Sequence, residues 1–323
     1  MKTYPLDKHL PGVSKLAYGC MGLGGGWGHN PISAADVTQA HQVVDVALDI
    51  GINFFDHADI YTLGKAEQVF GEVLKQRPEL REHIYLQSKC AIRFDDALGP
   101  KRYDFSAQYI ADSVDRILSR LQTEYIDILM LHRPDPLMEP EEVAEIFSAL
   151  KQSGKVNHFA VSNMHQHQMA FLQSYLEQPI VANQIEISLQ QNAWLDEGVT
   201  AGSPEGANVN FTPGTIEYCR QNNIQIQSWS SLCRGLYSGR DIGNESESVH
   251  ATAQLVARLA AEYQVSKEAI VLAFLLRHPA SIQPVIGSTN IERIKACQSS
   301  TSFRLTHAQW HALYVSARGH ELP

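Results

Sequence analysis

Asp56, Tyr61, Lys89 and His132 are the side chains of this sequence whose types and settings combine into one chemistry. The stretch "NFFDHADIY", Asn53 to Tyr61, begins as an apolar run that reads as a buried strand, then places a carboxylate and, five residues on, a phenol. Lys89 closes the run "IYLQSK" and His132 follows "IDILML", so an amine and an imidazole also stand where apolar segments end. An amine at the end of an inner strand must be solvated or paired. When hydride adds to a carbonyl carbon, negative charge builds on oxygen and a positioned acid must meet it. A phenol, with a reference pKa of roughly 10, is a poor acid at neutral pH unless a cation beside it favours the phenolate. Lys89 can supply that cation, Asp56 can hold the ammonium charged and in place, and His132 can donate a hydrogen bond that orients the substrate oxygen. Taken singly, the same residues have plainer roles: a loop cap for Asp56, a rim aromatic for Tyr61, a satisfied histidine for His132.

The chemistry therefore depends on elements that bring separated segments together. Short runs rich in Ile, Val, Leu and Phe recur at 15–20, 53–58, 84–89, 126–131, 158–163, 182–187, 224–229 and 283–288, which makes eight predicted strands. Helical periodicity falls between and after them, at about 34–50, 66–76, 107–121, 140–153, 166–176, 213–222, 266–277 and 290–298. Ser33 caps the first helix, Ala40, Val43, Val44, Val46, Ala47 and Ile50 supply its apolar face, and Gly51 stops it. Pro140 opens the fourth and Gly154 ends it. Eight strands alternating with helices close as a TIM barrel or lie open as a doubly wound sheet. The "GLGGG" at 22–26 leads into a loop with "WGHNP" rather than into a tight turn and helix, which favours the barrel, an α/β (β/α)8 fold in a single domain over 1–323. The Gly, Ser, Asn and Pro-rich segments 188–212 and 230–248 are expected as loops on its active face.

Composition removes other classes. With 44% hydrophobic and 19% charged residues the chain can build a large core, so disorder is not expected. A formal net charge of -9 argues against nucleic acid as a partner and leaves any phosphate site local. Five cysteines without CxxC spacing indicate neither zinc nor a disulfide framework. "MKTYPLDKHLPG" lacks the apolar centre of a signal peptide, and "AIVLAFLL" at 269–276 is too short to span a bilayer, so the expectation is a cytoplasmic protein without a membrane partner. Asp56, His132, His165 and His167 can be assembled on paper into metal ligands. However, "HQH" runs into a helix rather than ending a strand, and Lys89 would bring positive charge to the metal.

The four residues, with "DHADIY", "QSK" and "LMLHRPDP" around them, resemble the tetrad of the aldo-keto reductases, NAD(P)H-dependent enzymes on a metal-free TIM barrel. The resemblance extends from "LAYGCMGLGG" to "VIGSTNIERI", and "SKCAI" and "KVNHFAVSN" are most similar to a bacterial subgroup of oxidoreductases. It implies reduction of an aldehyde or ketone to an alcohol, with Tyr61 as proton donor and a small-molecule carbonyl as substrate. It implies that Ser162 and Asn163 of "AVSN", with Gln184, bind a nicotinamide carboxamide. Trp229 of "WSSL" would then underlie the ring, and Ser230 and Leu232 would approach the pyrophosphate. Gly287, Ser288, Thr289 and Arg293 would hold the adenosine phosphate, and Gly22 joins the cofactor set. Trp27 and Tyr237 are candidates for the substrate wall. His57, Ala160 and Trp229 depart from the residues many members carry. Gly287 stands where many have lysine, and Ala296–Cys297 where an acid and an amide often clasp adenine, so the expected NADPH preference rests chiefly on Arg293. Potassium-channel β subunits also resemble this family, which makes an NADPH-binding sensor the alternative; no extra N-terminal docking segment is read here.

Overall fold

The computed structural model describes residues 4–323. Eight parallel strands close into a barrel: β1 Ala17–Gly19, β2 Phe54–Asp56, β3 Tyr85–Cys90, β4 Ile126–Leu131, β5 Val156–Ser162, β6 Ile180–Glu186, β7 Gln225–Trp229 and β8 Gln283–Ile286. β1 pairs with both β2 and β8, which completes the ring. Each predicted strand is present: 126–131 is matched residue for residue, and the others are shifted or trimmed by a few residues at their ends. A small antiparallel ribbon of Ile92–Arg93 and Arg102–Tyr103 lies outside the barrel.

The helices are α1 Ala34–Asp49, α2 Lys65–Gln76, α3 Ala107–Leu121, α4 Pro140–Gln152, α5 Gln166–Gln173, α6 Ala193–Val199, α7 Thr215–Gln221, α8 Glu247–Tyr263, α9 Lys267–Arg277, α10 Ile291–Ala296 and α11 His307–Arg318. α6, α8 and α11 go beyond the sequence reading. α8 has a readable signal, since Ser246 caps it and Val249, Thr252, Val256, Leu259 and Ala260 are buried along one face. A strand-helix repeat calls for only one helix between β7 and β8, whereas the protein places α8 and α9 there. α6 and a 3-10 turn at Pro204–Asn208 give internal structure to the long loop after β6, anchored by buried Trp194. No helix among the described residues is long and apolar enough to cross a membrane.

Period-two alternation sorts each strand. Phe54 belongs to the apolar cluster inside the barrel, with Leu6, Ala17, Ile128, Met130, Ala160, Ala182 and Val285. Phe55 faces outward against Phe70 of α2, and Phe159 stacks on Phe147 of α4 with centroids 4.0 Å apart. Leu6 and Leu10, from a 3-10 turn and the residues after it, join the inner cluster next to the strand starts. Counting two residues on from an inward side chain leads from Phe54 to Asp56, from Gln87 to Lys89, from Met130 to His132, from Ala160 to Ser162 and from Gln227 to Trp229. The barrel thus delivers the candidate site residues to one end.

Close packing of the helical layer is most acute at Gly71 in α2, where an added Cβ would lie 2.0 Å from the Arg120 carbonyl oxygen. Helix propensity alone favours Gly71→Ala by about 1 kcal/mol. The clash is with backbone at the end of α3 and is expected to cost about 3 kcal/mol, so the variant should be less stable by about 2 kcal/mol. A urea midpoint equal to or above that of the wild type would contradict this packing.

Candidate active site

Lys89 is fully buried, and its ammonium donates three hydrogen bonds: to Asp56 Oδ1 at 2.6 Å, the His57 carbonyl at 3.0 Å and Tyr61 Oη at 3.1 Å. An ammonium has three donors, so none is left over. Because Tyr61 Oη accepts from Lys89, the phenolic hydrogen is free to point away from the lysine, toward the cleft that the Tyr61 ring lines. Burial would depress the lysine pKa, but Asp56 and the Tyr61 oxygen outweigh it and the net direction is upward. The amine is therefore held as a cation at neutral pH.

Tyr61 itself is raised above the ordinary tyrosine value: burial pushes it up, Lys89 opposes, and Asp56 adds to the rise. Lys89 acts in the expected direction, favouring the phenolate, but burial outweighs it. In the protein the ammonium offsets part of the desolvation of the phenol. His132 is depressed well below the usual histidine range, first by burial and then by Lys89, Arg133 and Lys101, so the imidazole is neutral. Its Nδ1 is buried without a partner, which leaves Nε2 to face the cleft. The Tyr61 and His132 rings stand 6.0 Å apart, nearly perpendicular at 81°.

The chain carries Tyr61 back over the barrel through a strained turn. Thr62 and Leu63 have φ of 48° and 62°, and Gly64 has 85°. Left-handed conformations at non-glycine residues cost on the order of 1 kcal/mol or more each. The bond from Thr62 Oγ1 to the Leu23 carbonyl at 2.9 Å helps hold the turn. Before it, the backbone N–H groups of His57 and Asp59 donate to the Gln87 and Lys89 carbonyls, extending the ladder beyond β2.

A cleft of about 520 Å³ runs from Asp56, Tyr61 and His132 to Ser288 and Arg293. One wall is tied together before any ligand enters: Asn163 Nδ2 donates to Ser162 Oγ at 2.7 Å, Ser162 Oγ donates to the Gln184 carbonyl at 2.9 Å, and Trp229 Nε1 donates to Asn163 Oδ1 at 3.1 Å. Beyond Trp229, left-handed residues Ser230, Cys233, Arg234 and Gly235 curl the loop, and Ser230, Leu232, Arg234 and Gly235 line the cleft. At Gly287 an added Cβ would meet only the Gly19 carbonyl, at 3.6 Å, so this part of the wall is backbone. Amide and hydroxyl groups of Ser162, Asn163 and Gln184, with Arg293 in the same cleft, suit the amide and phosphate groups of a nicotinamide cofactor.

Residues 15–315 match the Aldo/keto reductase family. The chain belongs to that family. It is 36% identical to an uncharacterized oxidoreductase, YcsN, of Bacillus subtilis (strain 168), over 87% of this chain and 89% of the relative. It is 34% identical to a 6-dehydroglucose reductase of Agrobacterium fabrum (strain C58 / ATCC 33970), over 96% of each chain. Among solved structures it resembles the glycerol dehydrogenase AKR11B4 of Gluconobacter oxydans, with a TM-score of 0.75 at 22% identity over 96% of this chain and 94% of that one. It also resembles the holo form of aldo-keto reductase AKR11C1 of Bacillus halodurans, with a TM-score of 0.72 at 24% identity over 94% of this chain and 92% of that one. At these identities the structural likeness is one of fold.

Within this aldo/keto reductase, Asp56, Tyr61, His132, Ser162, Asn163, Gln184, Trp229, Ser230, Leu232, Gly287, Ser288, Arg293 and Trp27 all line the cleft, with Lys89 directly behind. Trp27 is half exposed, at 51%. Tyr237 does not line the cleft: it is 2% exposed and its hydroxyl bonds Gln190, so it packs the loop after β7 instead of walling a substrate. Gly22 and Thr289 are likewise outside the lining; a Cβ on Gly22 would meet the Thr289 methyl at 3.0 Å. His165 caps α5 beside His167, and no group of three His, Cys, Asp or Glu among the described residues is placed to hold a metal. Three charged cleft residues escaped the sequence reading: Arg133, Arg234 and Glu268. Arg133 adjoins His132 in sequence and was legible; Glu268 reaches the cleft from α9, which only the packing of that helix decides. Cys297 is buried and its thiol donates to the Arg293 carbonyl, so Glu268 is the acid on this side of the cleft.

Behind the Tyr61 turn, burial pushes His57 down to about 3, with Lys89 adding to the fall, and neither ring nitrogen has a partner. Burial, with repulsion from Glu67, pushes Asp59 up to about 8 against the pull of Arg120 and Arg116. Stability rises with pH where the unfolded state binds more protons. Between the ordinary carboxylate pKa and about 8 the folded state is the one holding a proton on Asp59, so this group makes stability fall as pH rises. His57 acts in the opposite sense, from about 3 up to its ordinary value of 6.5, and is silent above that. From roughly pH 6.5 to 8, Asp59 is expected to lower stability by on the order of 1 kcal/mol per pH unit. Denaturant titrations across this range should show that slope diminished in Asp59→Asn; identical slopes in the two proteins would remove Asp59 as its source.

Proposed function

We propose that this aldo/keto reductase reduces aldehyde or ketone groups of small molecules to alcohols, with NADPH as hydride donor and Tyr61 as proton donor. The observation that carries this reading is the orientation of one hydroxyl: Tyr61 Oη accepts from a saturated, buried ammonium and lines a cleft beside a neutral histidine. A carbonyl oxygen placed between Tyr61 and His132 would accept one hydrogen bond from each. As charge builds on that oxygen, Tyr61 gives up its proton, and Lys89, itself fixed by Asp56, stabilises the phenolate left behind. A bound reduced nicotinamide supplies the hydride.

Ser162, Asn163 and Gln184 are assigned to the carboxamide, Trp229 to the face of the ring, Ser230 and Leu232 to the pyrophosphate, and Gly287, Ser288 and Arg293 to the adenosine phosphate. The guanidinium of Arg293 suits a 2′-phosphate because its planar fork donates two bonds. The name of one relative, a 6-dehydroglucose reductase, supports a small polyhydroxylated carbonyl as substrate.

Tyr61→Phe is expected to lower kcat by on the order of 10³-fold while NADPH still quenches intrinsic fluorescence with near wild-type affinity. Lys89→Met should act similarly, and a variant of either kind that keeps most of the turnover rate would remove that residue from the mechanism. Arg293→Ala is expected to weaken NADPH about tenfold or more and NADH little, which parallel cofactor titrations measure. Equal catalytic efficiency of the wild type with NADH would overturn the NADPH preference.

A further inference from the structure

Beneath the catalytic end, the barrel interior holds a hydrogen-bonded layer of glutamines instead of the expected aliphatic packing. Gln87, Gln227 and Gln283 are fully buried and Gln184 nearly so. Gln87 Nε2 donates to Asp56 Oδ1 at 2.6 Å and to Gln227 Oε1 at 2.9 Å. Gln184 Nε2 donates to the same Gln227 oxygen at 3.1 Å. Gln227 Nε2 donates to Gln283 Oε1 at 2.9 Å, and Gln283 Nε2 donates to the Ser14 carbonyl at 2.8 Å.

The direction of every amide in this layer follows from its ends. The Ser14 carbonyl can only accept, so Gln283 must turn its nitrogen there and its oxygen to Gln227. Gln227 in turn points its oxygen at Gln87 and Gln184. Both must then present nitrogen, and Gln87 spends its second hydrogen on the Asp56 carboxylate. The Gln87 oxygen is left buried without a partner. Nothing local rewards that orphan; the orientation is imposed by the acceptors on the other side of the amide.

We propose that Gln87 and Gln227 are positioning residues. Gln87 aims Asp56 at Lys89, and Gln227 joins this acid-base half of the site to Gln184 on the nicotinamide side, so that proton donor and hydride donor are registered to each other by one buried amide. The inference rests on the reductase reading for its functional meaning, but its signature separates from that reading. Gln87 touches only the acid-base half, whereas Gln227 touches both.

The test measures NADPH affinity by fluorescence titration and turnover with NADPH and 4-nitrobenzaldehyde for Gln87→Met and Gln227→Met, with thermal unfolding as a check of the fold. A misplaced catalytic group costs roughly 10- to 100-fold in rate. Gln87→Met is expected to lose kcat on that scale with its NADPH Kd within about twofold of wild type. Gln227→Met should lose kcat and also weaken NADPH about fivefold or more. Equal Kd values in the two variants, or kcat within about threefold of wild type in both, would overturn the proposal. Should Gln227→Met fail to fold, Gln283→Met, which keeps every bond of Gln87 and Gln184 but frees the Gln227 amide to turn, must show the same double loss at smaller size. A wild-type enzyme that binds NADPH and turns over no aldehyde would sink the reductase reading, while the difference in Kd would still decide the positioning role.

Discussion

A lysine ammonium with no exposure to water governs the geometry of this protein's catalytic end. Removing such a charge from solvent carries an effective penalty of several kcal/mol, which only close and well-directed acceptors repay. Lys89 finds a carboxylate, a peptide carbonyl and a phenol, each on or just after β2, the strand beside its own. The need to deliver three acceptors to one point explains why the chain after β2 does not proceed directly into α2. It bends through Thr62 and Leu63 in left-handed conformations and starts the helix only at Lys65. Strain in the turn is the local counterpart of satisfaction at the ammonium.

The same charge organises its surroundings. His132 is neutral partly because Lys89 and Arg133 stand near it, and a neutral imidazole can donate a hydrogen bond without competing for the proton that Tyr61 carries. Tyr61 lies above its ordinary range because burial wins over the cation, so the phenol stays protonated over a wide range of pH. On the proposed mechanism, acidity in this site is expressed during the reaction, when the developing charge and the ammonium come into play together, rather than as a depressed resting pKa.

Polarity also reaches deeper than a barrel core ordinarily allows. A half-satisfied polar layer would be worse than an aliphatic one, yet here a chain of amides runs from Ser14 to Asp56 with only the Gln87 oxygen unpaired. Apolar packing by Leu6, Phe54, Ile128 and Met130 fills other inward positions of the barrel. The lumen thus combines an apolar cluster that contributes stability with an amide chain that transmits orientation.

Local sequence was sufficient for the repeat and for the tetrad, because period-two alternation and the placement of a polar residue just past an apolar run are properties of contiguous residues. Phe54 to Asp56 and Met130 to His132 can be counted on paper. The inward positions of Gln87 and Gln227 follow from the same count, but nothing in a linear chain says that two strands on opposite sides of a barrel place their amides 2.9 Å apart. Closure decided that, as it decided that Glu268 enters the cleft and that Tyr237 turns from it. Hydrogen-bond partners, the loss of solvent around Tyr61 and the balance of its pKa arise from residues distant in sequence. Only the folded barrel brings them within reach of one another.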